Sequence, residues 1–477
     1  MSAPFGLDAP RGARRRGAPW WPLYAAGGLV LLGALAARAW RRALPHPPPA
    51  PSPLAAPLFG AALLAALAWA AWTLGRRSPL RPRFSVGRRA DFPWTALTLG
   101  HAERLRHIHC VGPSGCGKTT SVLAPLLVQD LRAGAGVTVI EIKGGELCGA
   151  ARAWAARLHR PVWEWQPGQA DSACWNPLRG ADAACAERLV YALQAGRGGS
   201  SAAADYYAAV AAGVIRHSVA VFAATGTPLD LQALRTFLLD PALRQGMLAG
   251  CDDADAIVYF RRVFDAWRPE ERLRHLQGLL NDLDGLVGQP LVRRALCPDG
   301  QAPGAEIDLA RCLETGAVLL ATLPFGGLLR QADVLGGFLL SGLQAAVYGR
   351  APGGPAHFVY LDEFQHFAGP GFTEFLALAR GYNVGTVLAH QNLAQLRQAG
   401  GVAIEETIRA NARTTIVLRC DGPDAHTFSR SLPPRAARPW VAADLAGLPF
   451  GMAVVQTAGG RRRPRAQRVR LRPAPRA

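Results

Sequence analysis

Apolar residues divide the chain into an N-terminal apolar region and a longer mixed region. Residues 20–37 and 53–75 contain no charged side chain. The second stretch has 23 residues and would measure about 34 Å as a helix, which is enough to cross a lipid bilayer. Tryptophans lie near the ends of both stretches, as is common at membrane interfaces. The pattern predicts a transmembrane hairpin over residues 20–75.

Arginines flank this hairpin on both sides. One cluster around Arg15 precedes it, and a second cluster around Arg77 follows it. Because basic residues are retained on the cytoplasmic side of membranes, residues 1–19 and the region after the hairpin are predicted to be cytoplasmic. The alternative is a cleaved signal peptide, since a basic start and an apolar run precede small residues at 34–36. The second apolar span, which follows at once, favours the hairpin.

From about residue 92 onward, short apolar runs alternate with stretches of helical periodicity. Continuous apolar strands of this kind are typical of a parallel sheet that helices cover on both faces. The pattern therefore predicts an α/β fold. The predicted strands are 108–111, 137–142, 317–323, 357–364, 384–390 and 414–420.

Residues 181–310 interrupt this alternation, because they contain helical patterns such as 202–224 and 256–287 and no clear strand. We interpret them as an all-α domain inserted into the α/β domain. After Asp444 the chain has no acidic residue and becomes rich in arginine and proline, which predicts a disordered tail. The predicted borders are 76–180 and 311–457 for the α/β domain, 181–310 for the insertion and 458–477 for the tail.

Composition narrows the class of protein. Half of the 477 residues are hydrophobic, which excludes a disordered chain. Nine scattered cysteines without a C-x-x-C pair argue against a disulfide framework and against a zinc site. The net charge is +19, yet residues 92–444 hold 32 basic and 32 acidic residues. The excess lies at the membrane flanks and in the tail, so it gives no argument for nucleic-acid binding by the α/β region.

A glycine-rich motif follows the first predicted strand. Residues 112–119 match G-x-x-x-x-G-K-[ST] and precede an apolar helical pattern, which is the context that a phosphate-binding loop requires. We expect Lys118, one of only two lysines in the chain, to reach the β- and γ-phosphates of ATP, and Thr119 to bind Mg²⁺. The candidate nucleotide-binding residues of this motif are Gly112, Gly115, Gly117, Lys118, Thr119 and Thr120.

The other lysine, Lys143, lies in the sequence EIKGGE after the second predicted strand. The carboxyl ends of parallel strands are where α/β sheets bind ligands, so Lys143 is a further candidate for nucleotide contact. Glu141 or Glu146 would contact Mg²⁺ or a neighbouring subunit. The alternative for this segment is an ordinary solvated turn at the end of a strand.

Two acids, Asp362 and Glu363, follow the apolar run of the fourth predicted strand. An apolar strand that ends in this way commonly accompanies a phosphate-binding loop. Asp362 is then expected to hold Mg²⁺, and Glu363 to polarise the attacking water as a general base. The pair indicates nucleotide hydrolysis rather than phosphate transfer to a small molecule.

Three further polar residues are candidates. Gln391 follows the next apolar strand and would sense the γ-phosphate, unless it is an ordinary residue at a helix start. Arg380 precedes that strand, and Arg413 lies further along in the sequence ANARTT. In a ring of subunits, either arginine would reach the nucleotide of a neighbour as an arginine finger. The alternative for both is an ordinary surface arginine.

The order of these motifs resembles that of the conjugative coupling proteins of type IV secretion, the TraG/TraD-like membrane ATPases related to FtsK and HerA translocases. The shared features run from about residue 20 to 457 and include RLRHIHCVGPSGCGKTT, EIKGGE, WNPL, VYLDEF, ARGYNVGTVLAHQNLAQL and ANARTTIVLRCDGPDA. The resemblance implies a RecA-like P-loop NTPase core with an inserted all-α domain, preceded by the transmembrane hairpin. It implies that Lys118 and Thr119 bind the nucleotide, and that Asp362 and Glu363 serve Mg²⁺ binding and the activation of water. It also implies that Arg380 is the arginine finger and that Gln391 is the sensor.

The resemblance also implies a function: the protein would be an inner-membrane DNA translocase that is driven by ATP hydrolysis and uses Mg²⁺ as its metal cofactor. Such a coupling protein would deliver relaxase-bound, single-stranded DNA to a type IV secretion channel. Its partners would be the channel components, the inner membrane and further copies of the chain in a hexameric ring, with the ATPase domain in the cytoplasm. Two alternatives stay open: a related membrane translocase of duplex DNA, and a nucleotide-gated adaptor that docks protein substrates without pumping.

Overall fold

A computed structural model describes residues 83–194, 202–298, 306–328, 330–367, 372–434, 438–458 and 464–475. All of them belong to the unit Arg81–Ala477. The predicted transmembrane hairpin at residues 20–75 lies outside the described residues and stays a prediction.

Eleven strands of the described residues form one mixed sheet. They are β1 (Arg83–Arg89), β2 (Ala96–Gly100), β3 (Ile108–Val111), β4 (Gly136–Glu141), β5 (Val162–Trp165), β6 (Val318–Thr322), β7 (His357–Asp362), β8 (Val384–His390), β9 (Thr414–Val417), β10 (Met452–Thr457) and β11 (Arg465–Leu471). Their order across the sheet is β2-β1-β11-β10-β9-β3-β8-β7-β4-β6-β5. The strands from β9 to β5 in this order are parallel, and the strands at the β2 end pair in antiparallel fashion.

The parallel part of the sheet is buried on both faces, as its apolar runs predicted. Alternate residues of β7 enter two separate hydrophobic clusters, with Phe358 and Tyr360 in one and Val359 and Leu361 in the other. The helices are α1 (His101–Arg104), α2 (Ala124–Arg132), α3 (Glu146–Arg157), α4 (Ala183–Gln194), α5 (Ala202–Thr225), α6 (Leu231–Leu239), α7 (Pro241–Ala249), α8 (Ala254–Tyr259), α9 (Pro269–Val287), α10 (Pro290–Leu296), α11 (Leu309–Thr315), α12 (Phe325–Leu328), α13 (Arg330–Gly349), α14 (Phe372–Leu378), α15 (Leu393–Asn411), α16 (Gly422–Ser431) and α17 (Ala442–Ala446).

Helices α4 to α10 lie between β5 and β6 in the chain, where the sequence predicts an all-α insertion. Three of them begin at an aspartate, because the side chains of Asp230, Asp240 and Asp253 accept backbone N–H groups of α6, α7 and α8. Within the described residues, one stretch, Tyr206–Thr225 of α5, is long and apolar enough to span a membrane. Residues such as Phe222 on this stretch are buried in the protein core.

The tail departs from its prediction. Residues 458–477 are predicted to be disordered, but Arg465–Leu471 forms β11, which pairs with β10 and with β1. Val469 and Leu471 are buried, whereas the arginines between them and before them are more exposed. The prediction was wrong for this segment because its many arginines made the short alternation of buried apolar residues and more exposed residues hard to recognise. The strands β1 and β2 at this end were missed because they lack a continuous apolar run, whereas β10 was missed although residues 452–455 form a short one.

The strand order determines which loops meet. β8 lies between β3 and β7, and β4 lies on the other side of β7. Because these four strands are parallel, their carboxyl ends share one edge of the sheet. This edge carries the glycine-rich loop after β3, Gln391 after β8, the acidic pair at the end of β7 and Lys143 after β4.

Candidate nucleotide-binding site

The glycine-rich loop leaves the carboxyl end of β3 and enters a π-helical turn, Thr119–Leu123, that leads into α2. Gly115 and Gly117 have φ angles of +75° and +90°, a backbone conformation that residues with a side chain rarely adopt. Loops of this kind let several backbone N–H groups converge on one anion at the start of a helix. The loop therefore has the conformation that a phosphate-binding function requires.

Lys118 is held inside this loop. Only 5% of the residue is exposed, and its Nζ donates to the carbonyl oxygens of Gly112 at 2.6 Å and Pro113 at 3.2 Å. The ammonium thus occupies the centre of the loop, where it would face the phosphates of a nucleotide. A compact ammonium suits this enclosed position better than a planar guanidinium does.

Thr119 and Asp362 form the candidate metal site. The hydroxyl Oγ1 of Thr119 donates to Oδ2 of Asp362 at 3.1 Å, although the two residues are 243 positions apart in the chain. A hydroxyl and a carboxylate are oxygen ligands of the kind that Mg²⁺ prefers. Thr119 and Asp362, in contact beside the glycine-rich loop, are the residues that would hold Mg²⁺.

Glu363 lies one residue beyond β7, and three side chains donate hydrogen bonds to its carboxylate. Lys143 forms an ion pair with Oε1, and Nε2 of Gln391 donates to the same oxygen at 3.1 Å. Nε2 of Gln365 donates to Oε2 at 2.9 Å. The residue has a φ of +55°, which is rare for a residue with a side chain and marks functional sites in many proteins. The side chain is 2% exposed, so its direction is determined by these partners.

The two acids are shifted in opposite directions. Burial and the neighbouring Glu363 raise the pKa of Asp362, and the positive Lys143 and the bond from Thr119 oppose that rise. Burial alone would raise the pKa of Glu363, but hydrogen bonds from Gln365, Lys143 and Gln391 together place it below its ordinary value. Glu363 is therefore a carboxylate at neutral pH, which is the form a general base needs.

Replacement of Lys143 by methionine tests this electrostatic arrangement. Loss of the ammonium should raise the pKa of Glu363, because an opposite charge is removed. A general base acts only when it is deprotonated, so the acidic limb of the kcat–pH profile for ATP hydrolysis should move upward by about one pH unit. Lys143→Arg keeps a positive charge and should restore most of the original profile. An acidic limb that stays in place in the methionine variant would exclude this role for Lys143.

Glu141 has a structural task that differs from the expected metal contact. Its Oε2 accepts the backbone N–H groups of Leu147 at 3.1 Å and Cys148 at 3.0 Å, at the start of α3. Burial is the main reason why its pKa is raised, and the nearby Asp362 adds to the rise. The carboxylate therefore caps a helix, while Glu146 is exposed in the first turn of that helix.

A pair of buried histidines lies next to Gln391. Nε2 of His109 on β3 and Nε2 of His390 on β8 are 2.7 Å apart, and the rings stack with centroids 4.9 Å apart. Burial lowers the pKa of His390 to about 4 and that of His109 even more clearly, so both are neutral at pH 7. Nδ1 of His390 must donate to the carbonyl of Asn392 at 3.0 Å, so His109 is the donor between the rings. The pair thus ties the strand before the glycine-rich loop to the segment that carries Gln391.

The two candidate arginine fingers lie elsewhere. Arg380 is in the turn Ala379–Tyr382 before β8, and Arg413 directly precedes β9. Both are exposed and stand at the amino ends of parallel strands, which is the edge of the sheet opposite Glu363. Within one copy of the chain, neither Arg380 nor Arg413 lies at the sheet edge that carries the glycine-rich loop.

Gln365 is a contact of Glu363 that sequence reasoning missed. It lies in the short turn Phe364–His366, two residues after Glu363, and its own residue is 7% exposed. The left-handed backbone at Glu363 reverses the chain and points Gln365 back at the carboxylate. The sequence DEFQ at 362–365 gave only a weak indication that Gln365 contacts Glu363, because a polar residue after an acidic strand end has many ordinary explanations.

Comparisons with known proteins agree with the sequence resemblance. Residues 356–433 match a family model described as the TraM recognition site of TraD and TraG. The matched segment begins just before β7 and includes the acidic pair, Gln391 and β9. No curated protein matches the chain. The resemblance to TraG/TraD-like coupling proteins is confirmed.

Solved structures share the fold at low sequence identity. The bacterial conjugative coupling protein TrwBdeltaN70 matches with a TM-score of 0.59 and 18% identity, over 80% of this chain and 88% of its own. Plasmid coupling protein TrwB in complex with ADP and Mg²⁺ gives the same four values. VirB4 of Thermoanaerobacter pseudethanolicus matches with a TM-score of 0.53 and 12% identity, over 82% of this chain and 96% of its own. These matches show that the chain shares the mixed α/β fold of these proteins.

Proposed function

We propose that this protein is a conjugative coupling ATPase, which uses ATP hydrolysis to move DNA toward a type IV secretion channel. The observation that carries the proposal is the single sheet edge where Lys118, Thr119, Asp362 and Glu363 meet. The match to the TraM recognition site and the fold shared with TrwB support the conjugative context. The complex of TrwB with ADP and Mg²⁺ supports ATP and Mg²⁺ as the ligands of this site.

In this proposal the side chains divide the work of hydrolysis. The glycine-rich loop and Lys118 bind the β- and γ-phosphates, and Thr119 and Asp362 hold the metal. When bound, Mg²⁺ neutralises charge on the phosphate oxygens. Glu363 accepts the proton of the attacking water. Gln391 donates a hydrogen bond to Glu363 and lies just before α15, so it transmits a change at the γ-phosphate to the start of that helix.

The position of the candidate fingers fits a ring of subunits. Arg380, with Arg413 as the alternative, lies at the sheet edge opposite the chain's own nucleotide site. In a hexameric ring such an arginine reaches the site of the neighbouring subunit and stabilises the transition state there. The active site would then be complete only between two subunits, with the predicted transmembrane hairpin holding the ring at the inner membrane.

DNA-stimulated ATP hydrolysis by the full chain tests the proposal. With a solubilised or bilayer-reconstituted protein, we expect single-stranded DNA to raise the ATPase rate several-fold at low salt. The stimulation should decline as salt rises, because phosphate-backbone contacts release counterions. Lys118→Ala should remove both the basal and the stimulated rate.

The outcomes separate the rival functions. Stimulation by duplex but not single-stranded DNA would favour a duplex translocase. ATP hydrolysis that no DNA stimulates at low salt would contradict the pump and favour the adaptor that docks protein substrates. A chain that hydrolyses no ATP under any condition would contradict both translocase functions, the one that moves single-stranded DNA and the one that moves duplex DNA.

A further inference from the structure

An exposed aromatic residue, Phe450, lies in the turn that leads into β10. It is 76% exposed, far more than most large apolar residues of the described chain. The N–H of Met452 donates to the carbonyl of Pro449 at 3.1 Å, and Gly451 has a φ of +76°. These features define a tight turn with a glycine at its third position, so the backbone of Phe450 is well determined. Exposure alone does not identify a ligand site, because Trp94 is 80% exposed, so the surroundings of the Phe450 ring carry the argument.

The ring of Phe450 lies beside Gly117 of the glycine-rich loop. A β-carbon built on Gly117 would lie 3.3 Å from Cζ and 3.4 Å from Cε2 of this ring. Gly117 immediately precedes Lys118, so one edge of the ring lies against the loop that would hold the phosphates. The rest of the ring remains open to solvent beside that loop.

Two backbone hydrogen bonds connect the turn of Phe450, through the C-terminal strand β11, to the π-helical turn Thr119–Leu123 that precedes α2. The N–H of Leu471 donates to the carbonyl of Gly451 at 2.8 Å, and the N–H of Ala474 donates to the carbonyl of Thr120 at 3.3 Å. The end of β11 therefore links the turn of Phe450 with the residue that follows Thr119. The ring is thus held next to the phosphate loop by paired backbone rather than by a free loop.

We propose that Phe450 is the stacking platform for the base of the bound nucleoside triphosphate. The proposal rests on the nucleotide site of the proposed function and adds the residue that recognises the base. The loop binds phosphates, which all nucleotides share, and it cannot hold the base. A flat apolar ring beside that loop offers a partner for a π-face. The strength of stacking depends on the size of the base and not on its hydrogen-bonding pattern. The site should therefore bind ATP and GTP, which carry purines, equally well, and CTP, which carries a smaller pyrimidine, less well.

Binding of nucleotides with and without a base tests the role of Phe450. Calorimetric titration of the full chain with Mg–ATP should show a loss of affinity of roughly 10- to 100-fold for Phe450→Ala. Mg–tripolyphosphate, which has no base, should bind the variant and the original protein equally. Phe450→Trp should restore ATP affinity. Trp94→Ala is the matched control, because Trp94 is 80% exposed but lies in the turn between β1 and β2.

Each result bears on the proposal. An alanine variant that binds ATP normally would overturn the role of Phe450 while leaving the nucleotide site intact. Equal losses for ATP and tripolyphosphate would also overturn it, since the ring would then support the loop and not the base. Failure of the original protein to bind either probe would remove the nucleotide site itself, and both proposals with it.

Discussion

Replacement of Glu363 by glutamine is expected to lower the ATPase turnover by roughly 10²- to 10⁴-fold while ATP affinity stays almost unchanged. Glutamine keeps the shape and can still accept hydrogen bonds, but its amide cannot take a proton from water. The phosphate loop with Lys118 and the Thr119–Asp362 contact are untouched by this change. Steady-state hydrolysis and calorimetric ATP titration of the full chain measure the two quantities separately.

Two variants give this experiment its controls. Glu374→Gln changes an exposed acid on α14 and should keep normal turnover. Lys118→Ala should lose ATP binding itself, which distinguishes a binding defect from a chemical one. Normal turnover in the Glu363 variant would contradict its assignment as the base. Loss of ATP binding in the same variant would indicate a structural role, consistent with its left-handed backbone.

Replacement of Asp130 by alanine is expected to lower the free energy of unfolding by about 3–5 kcal/mol. Asp130 on α2 forms an ion pair with Arg104, and both side chains are 0% exposed. The hydroxyl of Tyr360 contacts the same carboxylate, and Nη2 of Arg104 donates to that hydroxyl at 2.9 Å. The guanidinium also lies 4.5 Å from the ring centroid of Phe358. Alanine at position 130 would leave a buried guanidinium without its carboxylate.

The exposed pair Arg152–Glu164 is the matched control. Its side chains are 46% and 33% exposed, so Glu164→Ala should cost about 0–1 kcal/mol. A double variant, Arg104→Met with Asp130→Leu, should be more stable than Asp130→Ala alone, because no charge is then left unpaired in the core. Urea denaturation of the full-length variants provides the comparison. An Asp130 variant that loses no more stability than the Glu164 variant would refute the argument.

Local motifs were readable from the sequence because their physical requirements are local. The glycine-rich loop needs two left-handed glycines and a lysine at set spacing, and Gly115, Gly117 and Lys118 stand at those positions. A run of buried residues from His357 to Leu361 indicates a central strand wherever that strand lies in the sheet. At the antiparallel end, β11 was missed because only alternate residues such as Val469 and Leu471 are buried, whereas β10 was missed although residues 453–455 are all buried.

The sequence by itself therefore determined that this chain has an α/β core, a glycine-rich loop of the phosphate-binding pattern and an acidic strand end. Only the tertiary structure decided which side chains surround Glu363. Lys143 is 220 positions away from it and meets it because β4 lies beside β7, while Gln391 meets it because β8 lies on the other side. Apolar runs show that a strand is buried, but many strand orders bury the same residues equally well. The packing of helices and crossovers selects one order, and that order places Arg380 at one edge of the sheet and Glu363 at the other.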